Sequence, residues 1–181
     1  MAAAGPNHLF FTSKDDPRED CIIIGFTYNA PTNQGSDKPI FYRFTTSQVS
    51  QTDSRTIVTR DAGQVVAQLD WPMHNQLGMI TMGTKPQHPM SWMMMRGSTP
   101  NVRIFRSADS QLYEWRKVLN RPDSYDLFSG NTQIARFQRE AKNTPIGPAH
   151  AVMQYIFDND ELLLECLVAL CVNRWVDLRL Q

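Results

Sequence analysis

Leu162-Leu-Leu-Glu-Cys-Leu-Val-Ala-Leu-Cys-Val172 is apolar on every helical face except at Glu165. A helix of that kind has to be surrounded by protein or by lipid. At about 1.5 Å per residue the run covers only about 16 Å, about half of a hydrocarbon core of roughly 30 Å. Asn173, Arg174 and Asp177 interrupt any extension. The stretch therefore predicts a buried core helix and no transmembrane span. Asp158-Asn-Asp160 offers N-cap residues, and Glu161 suits the positive end of the helix dipole. The helix is expected over about 161–176.

Upstream, the signals are those of strands. Cys21-Ile-Ile-Ile-Gly-Phe26 is a short β-branched run, and Ile40-Phe-Tyr-Arg-Phe44 a second one. Between them, Asn29 to Pro39 is rich in turn formers and predicts a loop. Arg55-Thr-Ile-Val-Thr59 and Gln64-Val-Val-Ala-Gln-Leu-Asp-Trp71 flank an Asp/Gly turn and predict a hairpin. A second hairpin pairs Val102-Arg-Ile-Phe-Arg106 with Leu112-Tyr-Glu-Trp-Arg116, and a third pairs Ser124-Tyr-Asp-Leu-Phe128 with Thr132-Gln-Ile-Ala-Arg-Phe137. These arms alternate apolar and polar residues, as strands that cover a core on one face do. Val152 to Phe157 predicts a last strand. Residues 1–20 contain a charged, Pro-bearing stretch, Lys14 to Asp20, and are expected to be loosely ordered, leaving one domain over 21–181.

A mainly β chain with one helix that is apolar all round points to a closed antiparallel β-barrel around a central C-terminal helix. Val66-Ala-Gln-Leu-Asp-Trp71, Val102-Arg-Ile-Phe-Arg106 followed by Leu112-Tyr-Glu-Trp115, Ile134-Ala-Arg-Phe137 and the apolar helix carry a resemblance in their order and spacing. In these the chain resembles a fungal family of uncharacterised proteins with the tubby-like fold, found also in tubby, phospholipid scramblases and plant LURP-one-related proteins. The resemblance covers about Ile22 to Leu180. It implies the barrel and its core helix, and it supplies no activity for named residues. Where that family places Asp-Gly in the second hairpin turn, this sequence has Asp109-Ser-Gln111.

Composition narrows the function. The 181 residues hold 18 basic and 18 acidic side chains, so the net charge is zero, against the strong basic excess of a nucleic-acid binder. Cys21, Cys166 and Cys171 are odd in number and lack CxxC spacing, which fits a reducing, cytoplasmic setting. The start of the chain has neither the basic nor the apolar region of a secretory signal. No GxSxG, HExxH, P-loop or dinucleotide-binding glycine pattern occurs. No catalytic residues, metal ligands or cofactor are therefore expected, although Asp70, His74, Asp109 and Glu114 would be the acids and bases of a pocket built from distant strands.

Two stretches are candidates for binding. Arg96, Arg103, Arg106, Arg116, Lys117 and Arg136 lie where nine basic residues face five acidic ones between Arg96 and Lys142. On paired strands they could receive an anionic lipid headgroup or an acidic partner protein. Seven of the nine methionines fall between Met73 and Met95. There Met90, Trp92, Met93 and Met95 offer either core packing in a strand or an adaptable hydrophobic contact surface; thioethers beside His74 and His88 would also suit Cu(I). A non-catalytic binding module is thus the first expectation, with an enzyme and a scramblase-like membrane-associated protein as alternatives.

Overall fold

Buried residues from most strands share one core cluster with a single helix, and this arrangement organises the architecture. The computed structural model describes residues 6–28, 35–73 and 76–179. Among the described residues, thirteen strands precede a single α-helix. The strands are β1 (Asn7–Phe11), β2 (Cys21–Tyr28), β3 (Gly35–Gln48), β4 (Ser54–Arg60), β5 (Gln64–Trp71), β6 (Met79–Met82), β7 (His88–Pro89), β8 (Met95–Arg96), β9 (Val102–Arg106), β10 (Leu112–Lys117), β11 (Tyr125–Ser129), β12 (Thr132–Thr144) and β13 (Gly147–Tyr155). A short 3-10 helix, Met90–Met94, joins β7 to β8, and α1 spans Asp160–Arg179.

The strands form one antiparallel sheet in the order β7-β6-β5-β4-β3-β2-β1-β13-β12-β11-β10-β9-β8. Each neighbour follows in sequence except where β1 meets β13. The two edges, β7 and β8, are separated in the chain only by the 3-10 helix. At about 2 Å rise per residue that helix spans only about 10 Å, so the sheet has to curl until its edges lie side by side. Register shifts in the β4–β5, β11–β12 and β12–β13 pairs add local bends. The edges are not hydrogen-bonded to each other, and the sheet is open along this seam.

The helix fills the curled sheet. Leu9, Ile23, Phe44, Leu69, Phe105, Trp115, Leu127, Phe137 and Met153 belong to one buried cluster with Leu163, Cys166, Leu167, Leu170 and Val172 of α1. The helix starts as its cap residues suggest: Asn159 Oδ1 accepts from the Leu162 N–H at 3.0 Å, and the Asn159 carbonyl from the Leu163 N–H at 2.9 Å. Among the described residues no helix is long and apolar enough to cross a membrane.

Four expectations need correction. Asn7–Phe11, placed in a loosely ordered segment, is a strand between β2 and β13, with Leu9 and Phe11 buried. The charged stretch after it is anchored by Arg18, which pairs with Asp16 at 2.7 Å and lies over the rings of Trp71 and Trp175 at 4.8 and 5.1 Å. Residues 35–39, expected in a loop, extend β3, and 29–34 lie outside the described residues. Met93 and Met94 belong to a 3-10 turn and not to a strand, because the chain there has to cross from one sheet edge to the other.

Candidate ligand-binding site

Glu165 is the one carboxylate within the apolar run of α1, and it is 3 % exposed. A buried charge has to be paired and hydrogen-bonded. Two turns do this from opposite sides of the seam. After β6, Gly83 takes a left-handed φ of 56° and the Lys85 N–H bonds the Met82 carbonyl at 3.0 Å, which turns the Lys85 side chain toward the helix. Lys85 Nζ lies 3.1 Å from Glu165 and 2.6 Å from Glu161. Burial depresses the Lys85 pKa, but the two carboxylates outweigh it and hold the ammonium above its ordinary range. After β9, the Ser107 hydroxyl donates a close hydrogen bond to Glu165, and the Ala108 N–H reaches its Oε1 at 3.1 Å.

Above this pair lies a cavity of about 590 Å³, in the size range of small-molecule sites. Met82, Trp92, Met93 and Met95 give it an apolar wall, and Lys85, Arg106, Ser107 and Glu165 bring polar groups. The Trp92 ring stacks on His88 with centroids 5.3 Å apart and 10° between planes. Trp92 is 57 % exposed, whereas Trp71, Trp115 and Trp175 are buried. The cavity occupies the gap where neither sheet edge is extended by a partner strand.

The structure divides the expected basic patch. Arg103 turns inward, donates to the carbonyl and Oδ1 of Asn173 at 3.1 Å each, and pairs closely with Asp177. Lys117 joins the same carboxylate at 3.3 Å. Arg116 pairs with Glu114 at 2.8 Å and lies over Phe128, and Arg136 pairs with Asp126 at 2.9 Å. Arg96 is exposed on edge strand β8. Arg106 is exposed, donates to the Ser110 carbonyl at 2.7 Å and alone of the six lines the seam cavity. In the methionine group, Trp92, Met93 and Met95 line that cavity, but Met90 is fully buried and belongs to the core, not to a contact surface. The sequence did not indicate Lys85 or Ser107. The signal available was Glu165 itself, a lone charge that needed partners.

Three of the candidate acids and bases are each engaged by a different partner. Asp70 is held by Arg55 at 2.6 Å, Asp109 accepts from the Tyr113 hydroxyl at 2.9 Å, and Glu114 pairs with Arg116; His74 lies outside the described residues. Cys21, Cys166 and Cys171 are free and buried, and burial raises each thiol pKa, which keeps them protonated and weakly nucleophilic.

Fold and cavity define a class: an antiparallel sheet wound round its own C-terminal helix, with a ligand-sized opening at the seam. Residues 27–173 match a family described as a family of unknown function, DUF6593, and the chain belongs to that family. No curated protein and no solved structure matches the chain.

Proposed function

We propose that the chain is a non-catalytic binding module that takes a small amphipathic anion in the seam cavity. In this reading the sheet is a tubby-like barrel, closed at its seam by the Met90–Met94 turn instead of by strand pairing. The carrying observation is the methionine- and tryptophan-lined wall around Lys85, Arg106 and Glu165. Methionines adapt to irregular apolar shapes. Arg106, at the same cavity, has no carboxylate partner among the described residues and is the group to meet an anionic end. A headgroup patch on the outer strands has less support, since Arg103, Arg116 and Arg136 already engage carboxylates of the chain.

Trp92 makes the reading testable, being the exposed tryptophan and part of the cavity wall. Titration with dodecanoate below its micelle concentration should change tryptophan fluorescence and saturate. Met95→Glu puts a negative charge on a half-buried wall position and should abolish the change without unfolding the protein. Arg106→Gln should weaken it. An unresponsive Trp92, or an equal response in Met95→Glu, would rule the cavity out as the site.

A further inference from the structure

Farther along α1, Arg174 and Asp177 lie nine and twelve residues beyond Glu165, about 14 to 18 Å along the helix axis. A cleft of about 580 Å³ opens there, between the end of the helix, the turn after β10 and residues 14–15. Its charge is unbalanced. Arg174, 2 % exposed, holds Asp123 through two hydrogen bonds of 3.0 and 2.8 Å, and Arg139 approaches the same carboxylate at 3.6 Å. Lys117 and Arg103 share Asp177. Three cations of the cleft, with Arg103 beside it, thus share two carboxylates. On the rim, Lys14 and Arg121 add positive charge without carboxylate partners among the described residues, and Asp15 offsets one of them.

One donor is left over. Nη1 of Arg139 is shielded from solvent and meets no hydrogen-bond partner among the described residues. A guanidinium nitrogen in that position favours an acceptor oxygen. Asp123 takes a left-handed φ of 47°, and its carboxylate lies between the two arginines.

We propose that this cleft is an oxyanion site, separate from the seam cavity, that receives a phosphate-bearing group between Arg139, Lys117 and Arg121. Guanidinium forks match phosphate oxygens geometrically, and the surplus charge makes a dianion the fitting occupant. A soluble phosphate ester and a phosphorylated lipid headgroup present the same chemistry.

Thermal unfolding of the full chain in inorganic phosphate, compared with chloride at equal ionic strength, tests the site. Phosphate should raise the midpoint in the wild type and in Arg136→Gln, whose side chain pairs with Asp126 on the outer strands. Calorimetric affinity for glycerol 3-phosphate should fall about tenfold or more in Arg139→Gln, the loss of one charge-assisted contact. If Arg139→Gln does not fold, Arg121→Gln, at an exposed rim position, should show a smaller loss in the same direction. Sedimentation with phosphatidylcholine vesicles containing phosphatidic acid separates the sources. Binding to the vesicles well above that to glycerol 3-phosphate identifies a headgroup, and equal or weaker binding a soluble ester. Stabilisation by chloride equal to that by phosphate, or undiminished affinity in both Arg139→Gln and Arg121→Gln, would overturn the proposal.

Discussion

Glu165 accepts a hydrogen bond from the backbone N–H of Ala108 at 3.1 Å, so the lone carboxylate of the buried run is held by a turn of the sheet. The same turn supplies the Ser107 hydroxyl, and Lys85 reaches in from the other side of the seam. Glu165 therefore ties the helix to both sides of the gap that the strands leave open.

The donors on Glu165 differ in what they lose when it is removed. Glu165→Ala leaves the buried Ser107 hydroxyl and the Ala108 N–H without an acceptor, and should cost about 3 kcal/mol. Lys85→Ala removes a cation that is about a third exposed and shared with Glu161, and should cost about 1 kcal/mol, less in high salt. Urea unfolding of the two variants checks the order. A larger loss in Lys85→Ala would mean that the ion pair, not the turn, anchors the helix.

Much of this was legible in the sequence, and its limits have physical causes. The all-round apolar run from Leu162 to Val172 indicated an enclosed helix, because such a surface has few other places to go. The three hairpins were readable because turn and partner strands are neighbours in the chain. Asn7–Phe11 was not readable: it pairs with β13 from the other end of the chain, and it has no hairpin signal of its own. Arg103 looked like a surface residue because alternation along β9 does not say which charges will meet Asn173 and Asp177 of the helix. The seam cavity depends on where two sheet edges stop, which no local pattern encodes. Met90 and Met93 looked alike in sequence to Met95, yet only position across the 3-10 turn decides which of them is buried.

Leu167 is 2 % exposed within the core cluster. Leu167→Asp would put an unpaired charge among apolar side chains, at a cost of several kcal/mol, comparable with the whole stability of a domain. The variant should be unfolded or insoluble at 25 °C by circular dichroism. A cooperative, soluble Leu167→Asp protein would contradict the enclosure of the helix.

The turn that holds Glu165 contains a correctable strain. Ser110 has a φ of 67°, the left-handed region, in a turn closed by the Ser107 N–H on the Gln111 carbonyl at 3.0 Å. A side chain there costs roughly 1 kcal/mol, which glycine avoids. Ser110→Gly should therefore stabilise the protein by up to about 0.5 kcal/mol, the relieved strain less the greater freedom of glycine in the unfolded chain. Thermal melts of the two proteins side by side are sufficient; a lower midpoint in Ser110→Gly would show that the Ser110 side chain makes a favourable interaction that outweighs the strain.

The buried tyrosines predict a loss of stability at alkaline pH. Burial pushes Tyr42 and Tyr113 up to about 12, and it raises Tyr125 and Tyr155 as well. Their hydroxyls stay neutral in the folded state while the unfolded chain ionises near pH 10. The folded state then binds more protons than the unfolded one, so stability is fully present below about pH 10 and falls as pH rises toward 12. Tyr42 is the informative position, because its hydroxyl is buried and meets no partner among the described residues. Tyr42→Phe should change stability at pH 7 by less than about 1 kcal/mol, or raise it, since no hydrogen bond is lost. At pH 11 it should be more stable than the wild type, because one ionisation that favours unfolding is gone. Urea midpoints of both proteins at pH 7 and pH 11 decide this, and equal losses between the two pH values in Tyr42→Phe and wild type would exclude Tyr42 from the alkaline transition.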